Sequence, residues 1–176
     1  MRWFWIDRFT EFLSGQHAVA VKGVSLAEEH LHSHFPGYPV MPPSLVIEGL
    51  AQTGGLLFGE HLQFASPVVL AKVSRAKFIR HAHPGDQLVY RAELASVMAE
   101  GAKIKGTAHV GNELYAEIDL FLGVLAGKSQ EMVFDFSVLA GLLRILGVLE
   151  VGRTAQGDPI QLPPRMLEAE YSSPVV

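Results

Sequence analysis

Two side chains in this sequence have the types and spacing to exchange protons with a bound molecule. His34 enters a proline–glycine turn, His34-Phe35-Pro36-Gly37-Tyr38-Pro39, and Glu48 follows fourteen positions later inside a strongly apolar run. A carboxylate among apolar neighbours is costly unless it is partnered, or its pKa rises until it neutralises. Beside an imidazole, such an acid is a candidate for general acid–base chemistry. Ser44, Glu48 and Gln52 recur every four residues, so on a helix they share one stripe. A polar stripe on an apolar helix must face partners, water or a ligand cavity. The start of that helix adds unpaired N–H groups and the positive end of a dipole, a setting for a developing oxyanion. Base, electrophilic stabiliser and acid are then all present. The blander alternative makes Glu48 a buried acid bonded to a strand and His34 a turn residue, and the helix start favours the chemical reading.

Several elements have to position these groups. From Pro43 to Phe58 the apolar residues Leu45, Val46, Ile47, Leu50, Ala51, Leu56, Leu57 and Phe58 surround the whole helical circumference, which predicts a helix in the middle of the protein. Gly59 is its expected stop. Gly49, Gly54 and Gly55 each cost about 1 kcal/mol relative to alanine inside a helix, so they imply close approach of a neighbour or room for a slender ligand. Glu11 to Val24 contains the alternating run His17–Val24 and predicts a strand, with Glu29 to His34 leading into the turn. Further strands are expected at Val68–Val73, Ala76–Arg80, Gln87–Met98, Ala102–Val110 and Leu114–Val124, with turns at Pro84-Gly85-Asp86 and Gly111-Asn112. Lys103 to Leu122 reads as a hairpin about Gly111-Asn112. One early helix and then an antiparallel meander predict an α+β domain whose sheet wraps a helix.

Bulk properties narrow the function. The chain has 176 residues, 49% hydrophobic and 18% charged, with a net charge of −4 and no cysteine. That composition is globular, disfavours nucleic acid as a partner, and rules out thiolate chemistry and disulfides. Met132 to Leu149 approaches the length of a membrane span, but it contains Asp135, Arg144, Gly141 and Gly147, so a soluble protein in a reducing, cytoplasmic setting is expected. His30, His32 and His34 alternate, as do His81 and His83. On strands they would point one way, yet with no added carboxylate or helical His pair a metal site is not expected. Arg75, Lys77 and Arg80 read first as solvated strand residues and second as contacts for an acidic partner.

The central segment resembles the 3-hydroxyacyl-acyl-carrier-protein dehydratases of the FabZ and FabA type. Their signature, His-Phe-Pro-Gly-x-Pro-x-Met-Pro-Gly with a later helical acid and Ala-Gln pair, is matched by His34-Phe35-Pro36-Gly37, Pro39, Met41-Pro42, Glu48 and Ala51-Gln52. Ala76-Lys77-Phe78 through Pro84-Gly85-Asp86-Gln87-Leu88 is similar to a second family element, and Asp7-Arg8 to a weaker one. The likeness spans about residues 4 to 124. It implies a hotdog fold, an antiparallel sheet around one long helix, and a homodimer, often three dimers together. It also implies two sites between protomers, each with the histidine of one subunit and the acid of the other. The implied reaction is loss of water from a 3-hydroxyacyl thioester to give a trans-2-enoyl thioester, with no cofactor and with acyl carrier protein bearing the substrate. His34 would take the C2 proton and Glu48 would help the C3 hydroxyl leave. Phe35, Gly37, Tyr38, Pro43, Ser44 and Gln52 would line the substrate site. A glutamate at position 48 resembles the non-isomerising branch.

Two departures stand out. Pro43 occupies the position of the family's glycine, whose N–H is thought to bond the thioester carbonyl, and proline has no N–H. The Ser44 N–H or hydroxyl is the available substitute. The alternatives are an acyl-thioester-binding homologue without catalysis and a hotdog thioesterase. The second departure is the segment after the 1–127 domain: 128–176 is expected to form a helix over about 131–150 and then a proline-rich tail that crosses a surface or stays mobile. That helix packs on the sheet or across a dimer, or serves as a lid or carrier-protein dock.

Overall fold

The computed structural model describes residues 4–125 and 135–172. The expected boundary after residue 127 and the expected helix start at 131 lie outside them. Six strands form the antiparallel body: β1 (Arg8–Leu13), β2 (His17–Gly23), β3 (Val68–Phe78), β4 (Gln87–Met98), β5 (Gly101–Val110) and β6 (Glu113–Val124). A two-residue β7 (Gly152–Arg153) completes a seven-stranded sheet in the order β3-β6-β5-β4-β2-β1-β7. Alternation sets the inner face: Leu88, Tyr90 and Ala92 of β4, Ile104 and Ala108 of β5, and Ile118, Leu120 and Leu122 of β6 are all buried. Against it lies α2 (Pro43–His61), preceded by the short α1 (Glu29–Ser33).

Small residues let the helix sink into the sheet. A Cβ on Gly106 would stand 2.0 Å from Leu50 Cδ2, so that glycine is the seat for the central leucine of α2. A Cβ on Gly49 would fall 2.7 Å from the Trp5 carbonyl and 2.8 Å from the Tyr90 ring. Gly54 sits similarly over Ile104, at 3.1 Å, whereas a Cβ on Gly55 would meet nothing within 4 Å. Both expected uses of helix glycine therefore occur, at different positions. The helix runs past Gly59 to His61 and ends where Gln63 (φ 54°) and Phe64 (φ 50°) turn left-handed. Gly59 is packed under the Phe64 ring instead of stopping the helix.

The extension differs from expectation. In place of one helix over 131–150, α3 (Phe136–Ile145) and α4 (Val148–Val151) are separated at Gly147, whose φ of 72° breaks the helix. The tail is no loose strap, since β7 pairs in parallel with β1 and α5 (Pro164–Ser172) follows. Asp135 caps α3 by accepting from Ser137 N at 2.9 Å and Val138 N at 3.3 Å. Arg144 and Glu170 join α3 to α5 by a two-pronged ion pair, 3.0 and 2.9 Å. The Phe9 N–H donates to Leu146 O at 2.8 Å, tying the end of α3 to β1. At the opposite margin, β3 has no paired strand on its outer side among the described residues, and Leu70 through Lys77 are exposed. Among the described residues no helix is long and apolar enough to cross a membrane.

Candidate active site

The turn that carries His34 is held by its own backbone. Phe35 and Tyr38 exchange N–H···O bonds of 3.0 and 2.9 Å, Val40 N donates to His34 O at 2.9 Å, and Met41 N donates to Ala82 O at 2.8 Å. Gly37 supplies the φ of 77° that closes the turn. The His34 ring is half-buried and stacks on Phe35, with centroids 4.2 Å apart. Its Nδ1 lies 2.9 Å from Val40 O. A carbonyl oxygen only accepts, so Nδ1 carries the hydrogen, and in the neutral ring Nε2 then holds the lone pair. The turn fixes the tautomer of the imidazole.

Glu48 sits one turn inside α2 and is half-buried, less enclosed than its apolar neighbours suggest. The Gln52 Nε2 donates to Glu48 Oε1 at 2.9 Å, and Gln52 Oε1 accepts from Trp5 N at 2.9 Å. The backbone donor on Trp5 therefore sets the amide's orientation, and the amide holds the carboxylate. This is the shared stripe expected from the spacing of four, with Gln52 only 6% exposed. Ser44 and Pro43 lie exposed at the first turn. Ser44 supplies the first N–H of that turn, a position with no acceptor within the helix.

A cavity of about 270 Å³ opens beside Glu48. One wall is the α2 face Glu48, Ala51, Gln52, Gly55, Leu56 and Gly59, and another is Val68, Val69 and Leu70 of β3. Phe64, Ser66 and Leu139 complete it. Of the residues expected at the site, Glu48 and Gln52 line this cavity. His34, Phe35, Gly37, Tyr38, Pro43 and Ser44 do not, within a single chain. Phe35 and Tyr38 are each 55% exposed, projecting from the turn. The cavity borders the start of β3, where Leu70 is 38% exposed. Gly55 leaves the room for a ligand that its place in the helix implies, whereas sequence reasoning missed Gly59 and the β3 residues, although Ala51, Gly55 and Gly59 recur every four residues beside the stripe that carries the acid.

The expected histidine pairings change. Glu29–Ser33 is helical, so His30 and His32 do not share a strand face. His32 bonds Leu26 O at 2.9 Å, and burial against Trp5 lowers the pKa of His30. His83 Nδ1 bonds Pro39 O at 3.0 Å and supports the back of the turn.

A long helix seated in a curved antiparallel sheet, with an acid on the helix and a histidine on the turn before it, defines a hotdog-fold protein. A Streptococcus mutans protein bound to acetyl CoA has this fold, with a TM-score of 0.59 at 15% identity over 72% of this chain and 94% of that one. The FabA-like domain matches residues 3–118, and the chain belongs to that family. The 3-hydroxyacyl-acyl-carrier-protein dehydratase FabZ of Pelotomaculum thermopropionicum is 41% identical over 120 residues, covering 68% of this chain and 86% of the relative. The enzyme of the same name from a Hydrogenobaculum species is 40% identical over 115 residues, covering 64% and 78%.

Proposed function

We propose that this chain dehydrates 3-hydroxyacyl thioesters borne on acyl carrier protein to trans-2-enoyl thioesters in fatty-acid or related lipid synthesis. The site is composite, with His34 from one protomer and Glu48 from its partner. The observation that carries the reading is the pair of oriented groups: an imidazole whose Nε2 is left basic by the Val40 carbonyl, and a carboxyl held by Gln52 at the mouth of an apolar cavity.

The chemistry balances with these groups alone. His34 Nε2 takes the C2 proton, and the electron pair moves into the thioester as the carbonyl oxygen gains negative charge. The Ser44 N–H at the first turn of α2 offers a donor for that oxygen. The C3–O bond then breaks, Glu48 supplies a proton directly or through water, and the hydroxyl leaves as water. Substrate becomes enoyl thioester plus water, and the proton on His34 returns to Glu48 through solvent. An acid or base so placed contributes roughly 10²–10⁴ in rate.

Hydration of crotonyl thioester, followed as loss of enoyl absorbance, tests the reading in reverse. Wild type is active, while His34→Ala and Glu48→Gln fall to background. Co-expressing the two variants distinguishes a shared site from one built within a single chain. Random pairing leaves about a quarter of the sites intact and restores about that share of activity. Background rates in all samples overturn the enzyme reading, release of free thiol points to a thioesterase, and lack of complementation overturns the composite site.

A further inference from the structure

The family match ends at residue 118, yet a residue well beyond it, Leu139 of α3, stands on the wall of the cavity that begins at Glu48. The geometry points to Leu139 as the stop that sets the longest acyl chain the site accepts. This inference rests on the dehydratase reading for the identity of the guest.

Three observations carry it. First, the α2 face of the cavity advances eleven residues from Glu48 to Gly59, roughly 16 Å at the helical rise of 1.5 Å per residue. Polar groups sit at the Glu48 end, with Gln52 beside it. Further along, the face is reduced to Ala51, Gly55 and Gly59, and the space over Gly55 is open. A slot that is polar where the thioester reacts and bare along one side suits an unbranched alkyl chain. Second, Leu139 lies toward the far end. Arg165 of α5 donates to Gln63 O just past α2, and its guanidinium stands 5.4 Å from the Phe136 ring centre. Phe136 is one turn before Leu139 on α3, so this link anchors the start of α3 beside Gln63, two positions past the end of α2 remote from Glu48. Third, the wall is held firmly. The Asp135 cap, the Arg144–Glu170 pair and the Phe9 N to Leu146 O bond fix both ends of α3. A stop held at several points discriminates between chain lengths, because an extra methylene has nowhere to go.

The test uses the full-length chain with crotonyl, octenoyl, dodecenoyl and hexadecenoyl thioesters, read as the ratio of kcat/KM for long chains to that for crotonyl. Leu139→Ala raises the ratio for the longest accepted chains about tenfold or more, the scale of one or two methylenes in an apolar pocket. Leu139→Phe lowers it for medium chains. Val138→Ala, one residue away at a side chain that is 54% exposed and off the cavity, leaves the ratio as in wild type. Affinity for saturated acyl thioesters of the same lengths, read by tryptophan fluorescence, reports on the wall without turnover. Longer accepted chains in Leu139→Ala support the stop even if wild type proves catalytically silent, in which case only the dehydratase reading fails. Length profiles of rate and affinity that are unchanged in both Leu139 variants overturn it.

Discussion

Replacing Gly49 or Gly55 of α2 by alanine should move stability in opposite directions, because the same methyl group meets different surroundings. At Gly49 the new Cβ would stand 2.7 Å from the Trp5 carbonyl and 2.8 Å from the ring of Tyr90, which is fully buried and flanked by Ala20 and Ala108 on the neighbouring strands. Overpacking of this kind costs about 1–3 kcal/mol, and the contact includes backbone, so the upper end applies. Against this, alanine recovers about 1 kcal/mol of helix propensity. The net loss is about 2 kcal/mol, a fall in Tm of about 4–8 °C for a chain of this size. At Gly55 the Cβ enters open space. Only the propensity gain remains, and Tm should rise by about 2–4 °C. Thermal unfolding followed by circular dichroism, at one fixed protomer concentration, measures both. Gly49→Ala carries a second signature: the Trp5 carbonyl can retreat only by dragging the Trp5 N–H that holds Gln52, and with it Glu48. Its hydration rate should fall beyond what the lost stability explains. A Gly49→Ala protein as stable as wild type, or a Gly55→Ala protein destabilised alongside it, refutes the packing account of this helix.

Two further outcomes follow from single residues. Glu60 is 4% exposed, and burial pushes its carboxyl above the usual glutamate range, with the Ser14 hydroxyl at 2.7 Å and His61 pulling the other way. The folded chain thus holds that proton more tightly than the unfolded one. Its contribution is complete below the ordinary glutamate pKa and is lost as pH rises through the raised folded value. Glu60→Gln should therefore match wild type in acid and exceed its Tm at neutral pH, and parallel Tm–pH curves would contradict this. Pro43→Gly restores an N–H at the first turn of α2, and kcat for crotonyl hydration should rise by about tenfold, while the freer backbone lowers Tm slightly. An unchanged kcat means that Ser44 already supplies the whole oxyanion contact.

Legibility in the sequence depended on whether local pattern and tertiary pairing agreed. The β5–β6 hairpin was plain because alternation flanks Gly111-Asn112, where Gly111 adopts a φ of 58°, and its strands fall within one residue of expectation. The strand β1 was merged with β2 because a bulge between Phe9 and Glu11 places Phe9 and Phe12 inward three residues apart, a helical spacing. The strand β3 was divided in two because its exposed, charged middle and two register shifts hide the period of two. The stripe Glu48–Gln52 was readable from spacing alone. The cavity was not, since Val68, Val69, Leu70 and Leu139 reach it through tertiary contacts that no local window contains. Nor could spacing show that the Val40 carbonyl, six residues ahead of His34, selects the tautomer of the imidazole.

The two margins of the sheet are unlike one another. Beyond β1 the C-terminal segment lays down β7, two residues long, and the Phe9 N–H is already taken by Leu146. That flank offers little for another polypeptide to lengthen. On the far flank β3 presents eleven residues with no strand paired outside them among the described residues. Among the described residues, the one long margin open to strand addition by another polypeptide is therefore at β3. The C-terminal segment, which lies beyond the matched domain, thus occupies one margin of the sheet and leaves the other free.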